Sequence, residues 1–319
     1  NLYLETHSWK ECEKMHKAAL DIRERMAKDN PKVYESDLAM SYVNLGNLYM
    51  DTHRFNECEE MYKSALAINE RLSKEDPKVY ESDLASSYAN LALLYNNTQR
   101  FTESEVMYDA STIIYAQLYK ENPLLYKRKL ADSYYFLGFS MVDGKKYHEA
   151  IDVFEKSLVL QEDIIKTDND SLTWWSSLSC LVDLYVNEKD YKSAMNYNER
   201  LLPLLKIMFL GNMEKYKRIY SNKLVAQSYC SNCLGEFTKG EQFSLNALQC
   251  DSSNHIAYTN LAAAMFFQKK FSEAEKIYSQ YKFELKNVFL DDFAEYERLK
   301  VIPMECEAEE ERIKKLLEQ

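Results

Sequence analysis

Residues that break helices are scarce in this chain. Among 319 residues there are 6 glycines and 5 prolines. A sheet protein with many tight turns needs more of both, because turns draw on glycine's positive φ and proline's preset φ. Long apolar runs are missing too. No stretch approaches the roughly 20 uninterrupted apolar residues of a membrane helix. The richest, residues 201–210, is short and carries Pro203 and Lys206. Positive charge is in deficit, with Lys+Arg 40 against Asp+Glu 51 and a net charge of −11. Phosphate backbones reward clustered Lys and Arg, so nucleic acid is a poor default partner, as is an anionic membrane surface. The 7 cysteines are odd in number and scattered. That pattern argues against a disulfide scaffold and for a reducing compartment, the cytoplasm.

What the chain does have is repetition. It opens with NLYLETHSW at residues 1–9 and reads NLYMDTHRF at residues 47–55. The chain is therefore expected to start partway through a repeat. The phrase Asp37-Leu38-Ala39-x-Ser41-Tyr42-x-Asn44-Leu45-Gly46-x-Leu48-Tyr49 returns from Asp83 to Tyr95, and more loosely from Leu130 to Gly138. Pro31, Pro77 and Pro123 keep the same 46-residue offset, each preceded by Asn or Asp. Proline suits the first helical position, where its missing N–H costs nothing. Asn30, Asp76 and Asn122 are expected to cap the helices that follow. An aromatic landmark recurs at Trp9, Phe55, Phe101, Tyr147, Tyr191, Phe237 and Phe271. A small residue follows three positions later, at Cys12, Cys58, Ser104, Ala150, Ala194, Gly240 and Ala274.

Each unit reads as two antiparallel helices, A and B, with apolar residues at helical spacing. Leu45-Gly46-x-x-Tyr49, followed by Phe55-x-x-Cys58-x-x-x-Tyr62, resembles the tetratricopeptide repeat. The 46-residue spacing exceeds the usual 34, as in long-helix arrays of the kinesin light chain type. The resemblance implies an all-α, right-handed superhelical solenoid, with the array over residues 1–285 and capping helices over 286–319. It also implies a fragment of a larger, bacterial multidomain protein. Leu45, Gly46, Tyr49, Cys58, Leu91, Ala92, Ala150 and Ala274 are expected between helices. Pro203 is expected to distort its helix.

Catalytic signatures are missing: there is no Ser–His–Asp pattern, no Gly-rich phosphate loop and no HExxH. No enzyme activity and no cofactor are expected. Cys230-x-x-Cys233 with Cys250 and His255 is the nearest approach to a metal cluster, yet Cys12 and Cys58 already show cysteine used as a small core residue. No metal site is expected. His7 and His53 share one place in the A–B turn and read as scaffold. The resemblance implies a concave groove lined by A helices, where an Asn can grip the backbone of a bound peptide. Such an amide both donates and accepts, matching a peptide bond. Asn44, Asn90 and Asn260 occupy that place, with Asn47 and Asn97 expected nearby. The implied function is a scaffold for a protein or peptide segment. The alternative is a regulatory or sensor module of a larger enzyme, such as a caspase-like protease.

Overall fold

The computed structural model describes residues 9–168 and 172–318. The opening stretch, with His7, lies outside the described residues. Every regular element among the described residues is helical. They are α1 (Trp9–Asp29), α2 (Pro31–Asp51), α3 (Phe55–Glu75), α4 (Pro77–Asn97), α5 (Phe101–Glu121), α6 (Pro123–Asp143) and α7 (Tyr147–Asp168). Then come α8 (Leu172–Asn187), α9 (Tyr191–Gly211), α10 (Met213–Cys233), α11 (Phe237–Cys250), α12 (Ile256–Phe267), α13 (Phe271–Leu299) and α14 (Glu307–Glu318). The chain is an all-α solenoid. It divides into two compact units, one up to Thr173 and one from Trp174.

The period follows from the parts. Helices α2 to α6 are each 21 residues long. One-residue links alternate with three-residue links. The one-residue links of the first unit are Asn30, Asp76 and Asn122, all extended, with φ between −144° and −141°. Here the sequence reading needs correction. Only Asn122 caps with its side chain, accepting from the Leu125 N–H at 3.2 Å. Asn30 and Asp76 make no such bond. Their carbonyls instead accept from the N–H groups of Val33 and Tyr34, and of Val79 and Tyr80, so the backbone carries the corner. The three-residue links turn through a left-handed residue: His53, Gln99, Lys145, Lys189, Gly235 or Lys269. His53 holds that position while its ring meets Phe55 edge-on.

Close A–B approach rests on the small residues. All eight expected interhelical residues are buried. A Cβ added at Gly46 would stand 2.5 Å from the Tyr62 ring. Ala150 is fully buried. Ala150→Leu should therefore overpack the α6–α7 contact and cost about 1–3 kcal/mol, read as a lower denaturant midpoint.

The repeated Ser-Tyr phrase has a structural reason. Ser41 and Ser87 are buried on A helices and accept from the preceding B helix, from Arg23 at 2.6 Å and Asn69 at 2.8 Å. Tyr42 and Tyr88 donate back to Glu24 at 2.8 Å and Glu70 at 2.9 Å. A second recurring clasp joins four of the B helices to the next A–B turn. Glu13 holds Arg54, Glu59 holds Arg100, Glu105 holds Lys146, and in the second unit Glu241 holds Lys270. Arg54 and Arg100 also lie over Tyr49 and Tyr95, at 4.2 and 4.0 Å.

The second unit departs from the regular period. Helix α9 runs through Pro203 without interruption. Helices α11 and α12 shorten to 14 and 12 residues. Helix α13 doubles back on itself. The Tyr278 ring lies 4.9 Å from Phe289 and 5.8 Å from Phe293. On a straight helix those eleven residues would span about 16 Å. The returning arm, residues 284–299, then packs with α12, α14 and the end of α10.

Candidate functional site

In the first unit the A helices α2, α4 and α6 leave two hollows between them. One, of about 150 Å³, is lined by Ser36, Met40 and Val43 of α2 and by Asp83, Ser86 and Asn90 of α4, with Asn69 of α3 at its floor. The other, of about 230 Å³, runs from Ser86, Ala89 and Asn90 to Lys129, Asp132 and Phe136 of α6. Tyr108, Ser111 and Tyr115 of α5 lie beneath it. Asn90 and Ser86 line both. Met40 (55% exposed), Leu93 (40%) and Phe136 (42%) place apolar surface on this face. Asp37 and Asp83 are exposed beside it, and Lys129 donates to Ser82 at 2.9 Å.

The five asparagines differ in their surroundings. Asn90 is half-buried, and its amide makes no hydrogen bond among the described residues. Asn44 is half-buried one repeat earlier, equally without a bond, but lines neither hollow. Asn47 is exposed and already accepts from the Tyr62 hydroxyl at 2.7 Å. Asn97 is exposed and donates to the Leu93 carbonyl of its own helix at 2.8 Å. Asn260 is a correction. It is 1% exposed, and its amide donates to the Val225 carbonyl at 3.0 Å. It joins α12 to α10 and has no free face for a ligand. Ser86 was missed by the sequence reading, although it stands at the Met40 register.

Cys230 and Cys233 lie in the apolar core with Ala262 and Phe266, and burial pushes the Cys230 thiol up to about 12. Among the described residues no group of three or more His, Cys, Asp or Glu side chains is placed to hold a metal ion. Nor is any described helix long and apolar enough to cross a membrane.

Residues 38–77 and 84–123 each match the family model for the tetratricopeptide repeat. The chain carries tetratricopeptide repeats. Among curated proteins none matches the sequence. Solved structures share the fold. BtubC (BKLC) from P. vanneervenii is similar at 21% identity and a TM-score of 0.55, covering 77% of this chain and 91% of that one. YrrB, described as a tetratricopeptide protein with an unusual peptide-binding site, is similar at 14% identity and 0.50, covering 75% and 97%. A STAND signal-transduction ATPase with a tetratricopeptide sensor, PH0952 from Pyrococcus horikoshii, is similar at 16% and 0.52. That alignment covers 98% of this chain and 50% of the ATPase.

Proposed function

We propose that the A-helix face of the first unit holds a segment of a partner protein or a peptide, with no catalytic role. The observation that carries this is the meeting of two hollows at Asn90, whose amide no neighbour claims. A half-buried amide lacking a partner is poised to bond a peptide group. Asn44 repeats the chemistry one unit earlier, and Asn47 and Asn97 extend the polar edge. Apolar contacts with Met40, Leu93 and Phe136 supply the rest of the attraction. The fold shared with YrrB, a tetratricopeptide protein with an unusual peptide-binding site, agrees with this reading. The chain's free cysteines suit a reducing, cytoplasmic setting.

The test is capture of a partner from a peptide library, then titration of the double variant Asn44→Ala, Asn90→Ala. Each backbone hydrogen bond is worth about 0.5–1.5 kcal/mol. Binding should weaken about tenfold with helicity by circular dichroism unchanged. Equal affinity of variant and parent would remove these residues from the site. A second reading, a sensor module within a larger signalling protein, draws on the likeness to half of the Pyrococcus ATPase. Partner-dependent activity of an adjoining catalytic domain would favour it.

A further inference from the structure

In the second unit part of the corresponding face is already covered. Helix α12 presents Thr259, Phe266 and Phe267, all buried. The cover is the arm that returns from the reversal in α13. Phe293 stands 5.7 Å from Phe266 and 6.4 Å from Phe267, and Tyr296 stands 5.2 Å from Phe267. The arm then reaches beyond its neighbour in the array. Tyr296 meets Tyr229 of α10 at 6.2 Å. Glu295 reaches the turn between α8 and α9, accepting from the Tyr191 hydroxyl and from Lys189 at 2.7 Å. In a stacked array each unit contacts its sequence neighbours. A contact spanning 106 residues to an earlier turn belongs to a segment laid across several units.

The seat carries its own weakness. Phe289, Phe293 and Tyr296 bury aromatic surface, which favours the covered state. Asp292 opposes it. Its Oδ2 is shut from solvent without a hydrogen-bond partner, and a buried carboxylate oxygen in that state is costly. The buried Tyr296 hydroxyl is likewise without a partner. The clasp at Glu295 rests on Lys189 and Arg298, whose side chains are half in water. The arm is thus held less firmly than its aromatic area alone would hold it.

We propose that residues 284–299 are a displaceable strap over this face. Its place can be taken by an amphipathic helix with aromatic residues at i, i+4 and i+7 and an uncharged residue where the strap has Asp292. This goes beyond the reading of the first unit and concerns a separate surface. It rests on the general reading that A-helix faces take partner segments.

The probe is a fluorescent synthetic peptide of residues 284–300 carrying Asp292→Leu, titrated into the full chain. A strap in place reduces apparent affinity by the fraction of molecules that are open. The Glu295→Ala chain should bind the peptide about tenfold tighter than the parent. Peptide binding should speed hydrogen exchange across 284–299 and leave α12 protected. Equal affinity of the two chains, or no binding to either, overturns the proposal. So does exchange across 284–299 that the peptide does not alter. If Glu295→Ala fails to fold, Asp292→Asn supplies the opposite arm: it seats the strap better and should bind the peptide about tenfold more weakly, whereas equal binding overturns the proposal. The variant Asn44→Ala, Asn90→Ala separates the two surfaces. It should leave peptide affinity unchanged. A loss there would put the peptide on the first unit, which ends the strap proposal and leaves the reading of that unit standing.

Discussion

Phe293→Ala is expected to lower the stability of the second unit by about 3–5 kcal/mol, the usual cost of emptying a large buried aromatic site. Phe293 is buried among Phe266, Phe267 and Tyr278. Those contacts join the returning arm to α12 and to the first part of α13, so one truncation opens both seams. The neighbours Phe289 and Tyr296 are held by the same rings, and little local collapse can fill the space. Two further results should accompany the loss. Hydrogen exchange should quicken across 284–299 and α12, because their shared core is the site of the damage. Exchange in α2 to α5 should stay at the parent's rate, since solenoid interfaces act on nearest neighbours. Uniform acceleration across both units would show instead that they unfold as one body.

The regular half of the molecule was legible in the sequence because scaffold chemistry repeats. Gly46 against Tyr62 and Ala92 beside Ser104 answer a constraint that recurs every 46 residues, the close approach of helices A and B. The clasps were equally periodic: Glu13 to Arg54, Glu59 to Arg100 and Glu105 to Lys146 each span 41 residues. They went unread because they link one unit's B helix to the next unit's turn, and comparison of equivalent positions does not show that. Asn260 failed for a different reason. Its place in the repeat phrase matches Asn44 and Asn90, but exposure is not a property of the phrase. Whether that amide meets solvent or a carbonyl depends on what lies against α12, where the covering arm begins more than twenty residues later and has no repeat signature. The caps at Asn30 and Asp76 failed locally. There the N–H groups of Val33 and Val79 go to the backbone carbonyls of Asn30 and Asp76, whereas at Asn122, with the same backbone angles, the equivalent N–H of Leu125 goes to the side chain.

The arm should also answer to pH, and Asp292→Asn isolates the group responsible. Burial is the main cause that pushes the Asp292 carboxyl up to about 7, the charge of Asp291 adds to it, and a hydrogen bond from Thr259 works against it. The other titratable groups facing it are Tyr229, Tyr278, Tyr296 and Cys233, all displaced upward and neutral through this range. An acid whose folded value lies above its unfolded value, roughly 3.9, favours the folded state at low pH. That contribution is complete below about pH 4 and is lost as pH rises through about 7. Glu295 works in the opposite sense. Arg298 is the first cause holding its carboxyl down at about 2; burial opposes, and Lys189 and Tyr191 help. Its contribution is present above about pH 4.5 and fails only as pH falls toward 2. The second unit should therefore be most stable near pH 4 to 5 and weaken from there to about pH 7. In Asp292→Asn the alkaline loss should disappear. The variant should match the parent near pH 4 and exceed it at pH 8 by about 1–3 kcal/mol, the cost of an unpaired buried polar group. Thermal melts of both proteins at half-unit steps from pH 4 to 8 would read this directly. Parallel curves would mean that the Asp292 carboxylate is solvated in the folded protein and that the arm's seat carries no buried charge.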